Sequence, residues 1–265
     1  MSARKVEQVS DDTEMMKAGI EAVTSSAMKP VNDLISSLFG PAAREAGLML
    51  QDHIKVYRKE GQFRLYIRTM EKLKALGVTP QRVPLKLLFP IIENASVEED
   101  DDLQDRWASL LANAANPANA DGIPASFVNI LRELSPRQAK YLDALYDYAQ
   151  KRSDRELDRT LESIGFSHLD FVRVFSEIGL ARYPTSKHYS AAEWRREDVK
   201  ADRAEREVAL DIFHRHRIMV EVYDLGEERF TIQPRQPELD SEVHFTALGS
   251  QFVATCRPPK PQVAE

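Results

Sequence analysis

Few residues of this chain stand at spacings that chemistry could use. His214-Arg215-His216 comes nearest to a metal-ligand pair. On a helix its two imidazoles point roughly 200° apart; on a strand they share a face. No cysteine or carboxylate cluster at ligand spacing completes a site. The densest set of oxygen ligands is the run Glu98-Glu99-Asp100-Asp101-Asp102. Its members are consecutive, so on a helix they splay around the axis instead of converging on one ion. The simpler reading is a helix start, where each exposed acid opposes the positive dipole end by about 0.3–1 kcal/mol. His53, His168, His188 and His244 are isolated, and the one cysteine, Cys256, sits in an apolar helical pattern and reads as core. There is no P-loop, no G-x-G-x-x-G turn and no G-x-S-x-G elbow. The sequence therefore predicts a protein that is not an enzyme, with no catalytic residues, no metal and no cofactor.

Binding chemistry is better represented. From Ala42 to Leu76 the pattern is helical with few breaks, and the outer face carries Lys55, Arg58, Lys59, Arg64, Arg68, Lys72 and Lys74. Ala42, Ala46, Met49, Leu50, Ile54 and Tyr57 form the apolar face, continued by Ile67, Met70 and Leu73. Phe63 and Tyr66 lie among the charges. Such a face is either solvated or a patch for nucleic acid, acidic lipid or an acidic protein. Lys55, Arg58, Lys59, Arg64, Arg68 and Lys72 are the candidate anion-binding residues.

Charge is unevenly placed along the chain. Residues 41–90 hold ten Lys/Arg against four Asp/Glu, and residues 96–135 hold two against eight. The two segments could pack together, or one could face a partner. The overall net charge of −6 does not favour a protein that coats nucleic acid.

The elements that must position these groups follow from periodicity. Residues 1–13 are polar, without an apolar signal region. Glu14 to Phe39 reads as helix with a break near Pro30. Its stripe Val31, Leu34, Ile35, Leu38 and Phe39 could pack in the core, pair with another subunit or rest on a membrane surface. Pro84 to Asn94 is a short apolar helix in which Leu85, Leu88, Phe89 and Ile92 share a face and Pro90 implies a kink or restart. Ser96 and Glu99 have capping-box spacing ahead of a helix whose face is Leu103, Trp107, Leu110, Leu111 and Ala114. Ser126 opens a short helix. Ser135-Pro136-Arg137-Gln138 combines an N-cap, a Pro at the first helical position and a Gln at the third.

Three helices are expected next: one from Ser135, one from Ser153-Asp154-Arg155-Glu156 to Gly165, and one from Ser167 to Gly179. Two strand-like runs follow, Ile218–Tyr223 and Arg229–Gln233, with a turn at Leu225–Glu228, and Thr246 starts a last helix. Three short helices, a hairpin and a final helix read as a winged-helix-like part. Its groove-facing helix would be His168 to Ile178, with His168, Arg173, Arg182 and Lys187 as candidate contacts. That helix offers one cation against two acids, which is poor for phosphate. Glu193 to Arg215 is dense in both charges and reads as a surface helical insertion.

Several phrases together resemble the abortive infection alpha family of bacterial phage-defence proteins: Leu-Gln-Asp-Arg-Trp-Ala-Ser-Leu-Leu-Ala-Asn-Ala from Leu103, then Pro124-Ala125-Ser126-Phe127 and Leu134-Ser135-Pro136. The resemblance takes in Gly40 to Gly47, Pro84 to Pro90 and Phe245 to Phe252. It implies phage defence and brings no catalytic residues with it.

The expected fold is mainly α: an N-terminal segment at 1–39, a helical core at 40–134, a winged-helix-like α+β part at 135–257 with a charged insertion near 185–216, and a tail at 258–265. One cysteine fits a reducing cytoplasm, and no stretch of 18 or so apolar residues is uninterrupted. The expected function is non-enzymatic defence through protein or membrane contacts, the protein partner being one of the phage or the host. A winged-helix DNA-binding regulator and a membrane-surface effector are the alternatives, and homo-oligomerisation is compatible with all three.

Overall fold

The computed structural model describes residues 29–40, 56–119, 122–155, 159–179, 197–223 and 241–259. It is mainly helical with a small three-stranded antiparallel sheet. The chain divides into two units, Met1–Ala125 with Pro258–Glu265, and Ser126–Arg257.

In the first unit residues 29–39 are helical (α1). Val31, Leu34, Leu38 and Phe39 are buried, so the apolar stripe is core. Helix α2 is Val56–Leu76, α3 is Leu85–Ala95 and α4 is Asp101–Ala115. Residues 41–55, with the expected apolar face from Ala42 to Ile54, lie outside the described residues.

Helix α4 is the centre of this unit. Trp107 is 1% exposed, and Leu103, Leu110, Leu111 and Ala114 are buried as their spacing predicts. Ala108, Ser109, Ala112, Asn113 and Ala115 are buried as well, so the helix is enclosed on more than one face. Small residues at these positions let neighbouring helices come close. Helix α2 does so at Gly61, where an added Cβ would stand 2.3 Å from the Ser96 carbonyl oxygen. Buried Gln104 ties the crossing, its amide donating to the Ala95 carbonyl at 2.5 Å and the Gly61 carbonyl at 3.4 Å.

Three expectations change here. Ser96 does not cap α4. It closes α3, its amide bonded to Ile92 O and its hydroxyl to Glu93 O. Asp100 caps α4 instead, accepting the Leu103 amide at 2.9 Å, because Asp is as good a cap as Ser and Ser96 is held against Gly61. The buried face of α2 is Gly61, Leu65, Tyr66, Thr69 and Leu73, whereas Ile67 and Met70 are only half-buried. Tyr66 thus belongs to the core, and burial pushes its phenol pKa up. Helix α3 is continuous through Pro90, and its buried face is Leu87, Leu88, Ile91 and Ile92, with the expected Leu85 and Phe89 only half-buried.

In the second unit α5 is Ser126–Glu133 and α6 is Pro136–Arg155. The capping box at Ser135 forms as read: Gln138 N donates to Ser135 Oγ at 3.2 Å, and Ser135 N to Gln138 Oε1 at 2.9 Å. The helix expected from Ser153 does not form. α6 continues through that point, Ser153 Oγ bonds Arg159 O, and Leu161–Ser163 is a single 3-10 turn. Strand β1, Gly165–Phe166, replaces the expected helix end.

Ser167 and Asp170 form a second reciprocal box opening α7, His168–Glu177. Helix α8, Glu197–Arg215, leads into β2, Met219–Tyr223, and β3 is Ser241–Phe245. β3 lies between β1 and β2, with Gly165 opposite His244 and Val220 also opposite His244. The partner of β2 is therefore Ser241–Phe245; the expected run Arg229–Gln233 lies outside the described residues.

Thr246 caps α9, Ala247–Thr255, and Gly249 brings that helix against Ile218, whose carbonyl oxygen would lie 2.0 Å from an added Cβ. Aromatic rings in contact run through this core. Phe166 meets Tyr148, Phe171 and Phe245, and Phe127 meets Phe252 edge-on at 5.4 Å.

Candidate functional site

The charged seam between α2 and α4 brings together the residues that sequence singled out for binding. Arg68 lies one turn below Arg64 and one above Lys72, so the three share a stripe on α2. The acids at the α4 N-terminus face that stripe. Arg68 donates to Asp101 Oδ1 at 2.6 Å and to the Asp101 carbonyl at 2.6 Å. Lys72 Nζ stands 2.7 Å from Asp105 Oδ1, with its side chain only 12% exposed. Arg64 is 3.8 Å from Asp101 and donates to Glu98 O at 3.4 Å. The basic stripe of α2 and the acidic start of α4 thus pack on each other within the first unit. Arg58 and Lys59 lie in the first turn of α2, and Lys55 lies outside the described residues.

This geometry limits the chemistry of the patch. A polyanion reaching Arg68 or Lys72 must displace Asp101 or Asp105 from contacts already made. Exposed pairs of this kind contribute about 0.2–1 kcal/mol each, so a multivalent anion could compete, but it gains less than from unpaired cations.

Of the second set of candidates, Arg173 is the one whose side chain is described. Arg173 is exposed on α7 and pairs with Glu177 one turn on, at 3.0 Å. The hydrogen bond it donates to Glu177 is the main reason its guanidinium pKa rises. His168 opens α7, and Arg182 and Lys187 lie outside the described residues.

The structure shows polar clusters that sequence reasoning missed. His216 Nε2 lies 3.1 Å from Glu133 Oε2, and Arg215 pairs with the same carboxylate. The His216 hydrogen bond leads the effects that hold the Glu133 carboxyl below its usual range; burial opposes it and Arg215 assists. Tyr148 donates to Asp170 at 2.5 Å. Burial pushes the Asp170 carboxyl up, but hydrogen bonds from Tyr148 and Ser167 outweigh that and leave it below the ordinary aspartate value. Ser250 donates to Glu162 at 2.5 Å, and His244 Nδ1 donates to the Glu162 carbonyl at 3.2 Å. Arg257 lies over Tyr146 and binds Asp143 and Asp147. The partners in the Glu133, Glu162 and Arg257 clusters are more than 80 residues apart, so no local spacing could announce them.

Among the described residues no group of three or more His, Cys, Asp and Glu is placed to hold a metal ion. None of the described helices is long and apolar enough to cross a membrane.

The family model for abortive infection alpha proteins matches residues 59–256. The chain belongs to the abortive infection alpha family. The match takes in most of α2 and every later helix and strand of both units, and so includes the α2–α4 seam and the three-stranded sheet of this abortive infection alpha protein. Residues 40–47, part of the resemblance read from the sequence, precede the matched range. No curated protein and no solved structure matches the chain.

Proposed function

We propose that this abortive infection alpha protein defends its cell against phage without catalysis, by contacts with a phage or host protein. The family match over residues 59–256 carries the defence part of this reading. The contact part is supported by the α2–α4 seam. Its cations are engaged by acids of the same unit, which favours a protein surface of mixed charge over a polyanion site. Burial of Val31, Leu34, Leu38 and Phe39 favours protein contact over a membrane-surface effector that would use that stripe.

A second reading, a winged-helix regulator, draws on the strand order β1-β3-β2 with α6, α7 and α8 ahead of the hairpin. In it α8, which leads directly into β2, takes the groove-facing place that the sequence had given to α7. Helix α8 carries six Asp/Glu and four Lys/Arg, so phosphate contact is disfavoured there too.

The test is a phage challenge of expressing cells at low and high multiplicity. Survival at low multiplicity with early collapse at high multiplicity is the expected result. Equal plating with and without the protein across a broad phage panel overturns the defence reading. Tight duplex DNA binding that falls steeply with salt would replace protein contact with the regulator reading.

A further inference from the structure

Between α1 and the C-terminal end of α2 the first unit holds an open cavity of about 290 Å³. Leu34 from α1, Met70 and Leu73 from α2, and Val78 from the link beyond supply its apolar lining. Gly77, at φ +67°, ends α2 and turns the chain so that Val78 reaches the cavity. Two opposite charges line the same space: Asp33 of α1 and Lys74 of α2. Both side chains are exposed, and neither has a salt-bridge partner among the described residues, each other included. Ser37, also in the lining, uses its hydroxyl to bond the Asp33 carbonyl and leaves the carboxylate alone.

A cavity of this size would hold about ten waters at roughly 30 Å³ each, hence a ligand of about ten non-hydrogen atoms. A lining that holds apolar residues, one cation and one anion complements a molecule with the same three parts. We propose that this cavity binds a small zwitterion with an apolar side group, of the apolar α-amino acid class. The carboxylate meets Lys74, the ammonium meets Asp33, and the side group lies against Met70 and Val78, which are half-buried. Each charged end makes a charge-assisted hydrogen bond that a ligand lacking that end forgoes. The site does not depend on the defence reading, and its failure would leave the family assignment standing.

The experiment is calorimetric titration of the full chain with L-leucine and L-phenylalanine, beside two leucine analogues that each lack one charge, isoamylamine and 4-methylpentanoate. Saturable millimolar binding of the amino acids, at least about tenfold tighter than either analogue, is expected. Asp33→Asn and Lys74→Ala, both at exposed positions, should each weaken binding about tenfold while the circular dichroism spectrum stays unchanged. Three results would each overturn the proposal: no saturation up to about 10 mM, analogues that bind as well as the amino acids, or affinity unchanged in both variants.

Discussion

The two units are held together in different ways. In the first, the seam between α2 and α4 is charged at its edge and polar at its centre. Its Arg68–Asp101, Lys72–Asp105 and Gln104–Gly61 contacts join residues 33, 33 and 43 positions apart. In the second, aromatic rings do the equivalent work, Phe166 on Phe245 and Phe127 on Phe252, and the polar ties of Glu133, Glu162 and Arg257 span 82 to 114 positions. A seam between neighbouring helices leaves a trace in sequence, because its two sides are consecutive charged blocks of opposite sign. A core assembled from distant rings leaves only scattered Phe and Tyr. Loop-closure entropy also makes the second unit the more dependent on strong long-range contacts.

The largest effects should come from deleting the central ring of each unit. Trp107→Ala and Phe245→Ala, at 1% and 2% exposure, should each cost about 3–5 kcal/mol in denaturant unfolding. Loss from one and not the other would show that the units are not equally core-dependent.

Next come the two close backbone approaches. Gly61→Ala and Gly249→Ala would each place a methyl group against a carbonyl oxygen, Ser96 O and Ile218 O, which cannot rotate away. Overpacking of this sort costs about 1–3 kcal/mol and exceeds the roughly 0.5–1 kcal/mol that Ala gains over Gly inside a helix. A rise in melting temperature for either variant would refute the close packing.

The acid response should be read at Asp170 of the second unit. Its folded pKa is held below the unfolded value of about 3.9. Its contribution is therefore present above that value and lost as pH falls through the folded pKa. Asp170→Asn keeps an acceptor for the cap and should flatten the acid limb of the stability curve; an unchanged limb would mean that other carboxylates set it.

The smallest effect belongs to the seam. A double-mutant cycle on Lys72 and Asp105 should give about 0.2–1 kcal/mol, shrinking as salt rises. A salt-independent coupling would mean that the pair is shielded from solvent more than its exposure implies.

The legible parts of the fold share one property: their causes are local. Ser135 with Gln138, Ser167 with Asp170, and Thr246 ahead of Gly249 each mark a helix start within four residues, and each cap forms. Trp107 and its i+3 and i+4 neighbours mark a buried face in the same way. Where local rules competed, they misled. Ser96 and Asp100 are both sound caps, and only the packing of Ser96 on Gly61 decides for Asp100. Ser153 begins a well-spaced box, yet α6 runs past it. The basic face on α2 was legible as charge, but not that three of its members already have partners.

What the sequence determined alone was the helical class, the strongest caps, the oppositely charged neighbours and the family resemblance, since each depends on residues within a few turns of one another or on ordered phrases. Tertiary structure decided which face of α2 is buried, that β3 pairs with β2, and that Glu133 meets His216. These turn on contacts between distant segments, whose free energy depends on how the whole unit closes and not on any short stretch of chain.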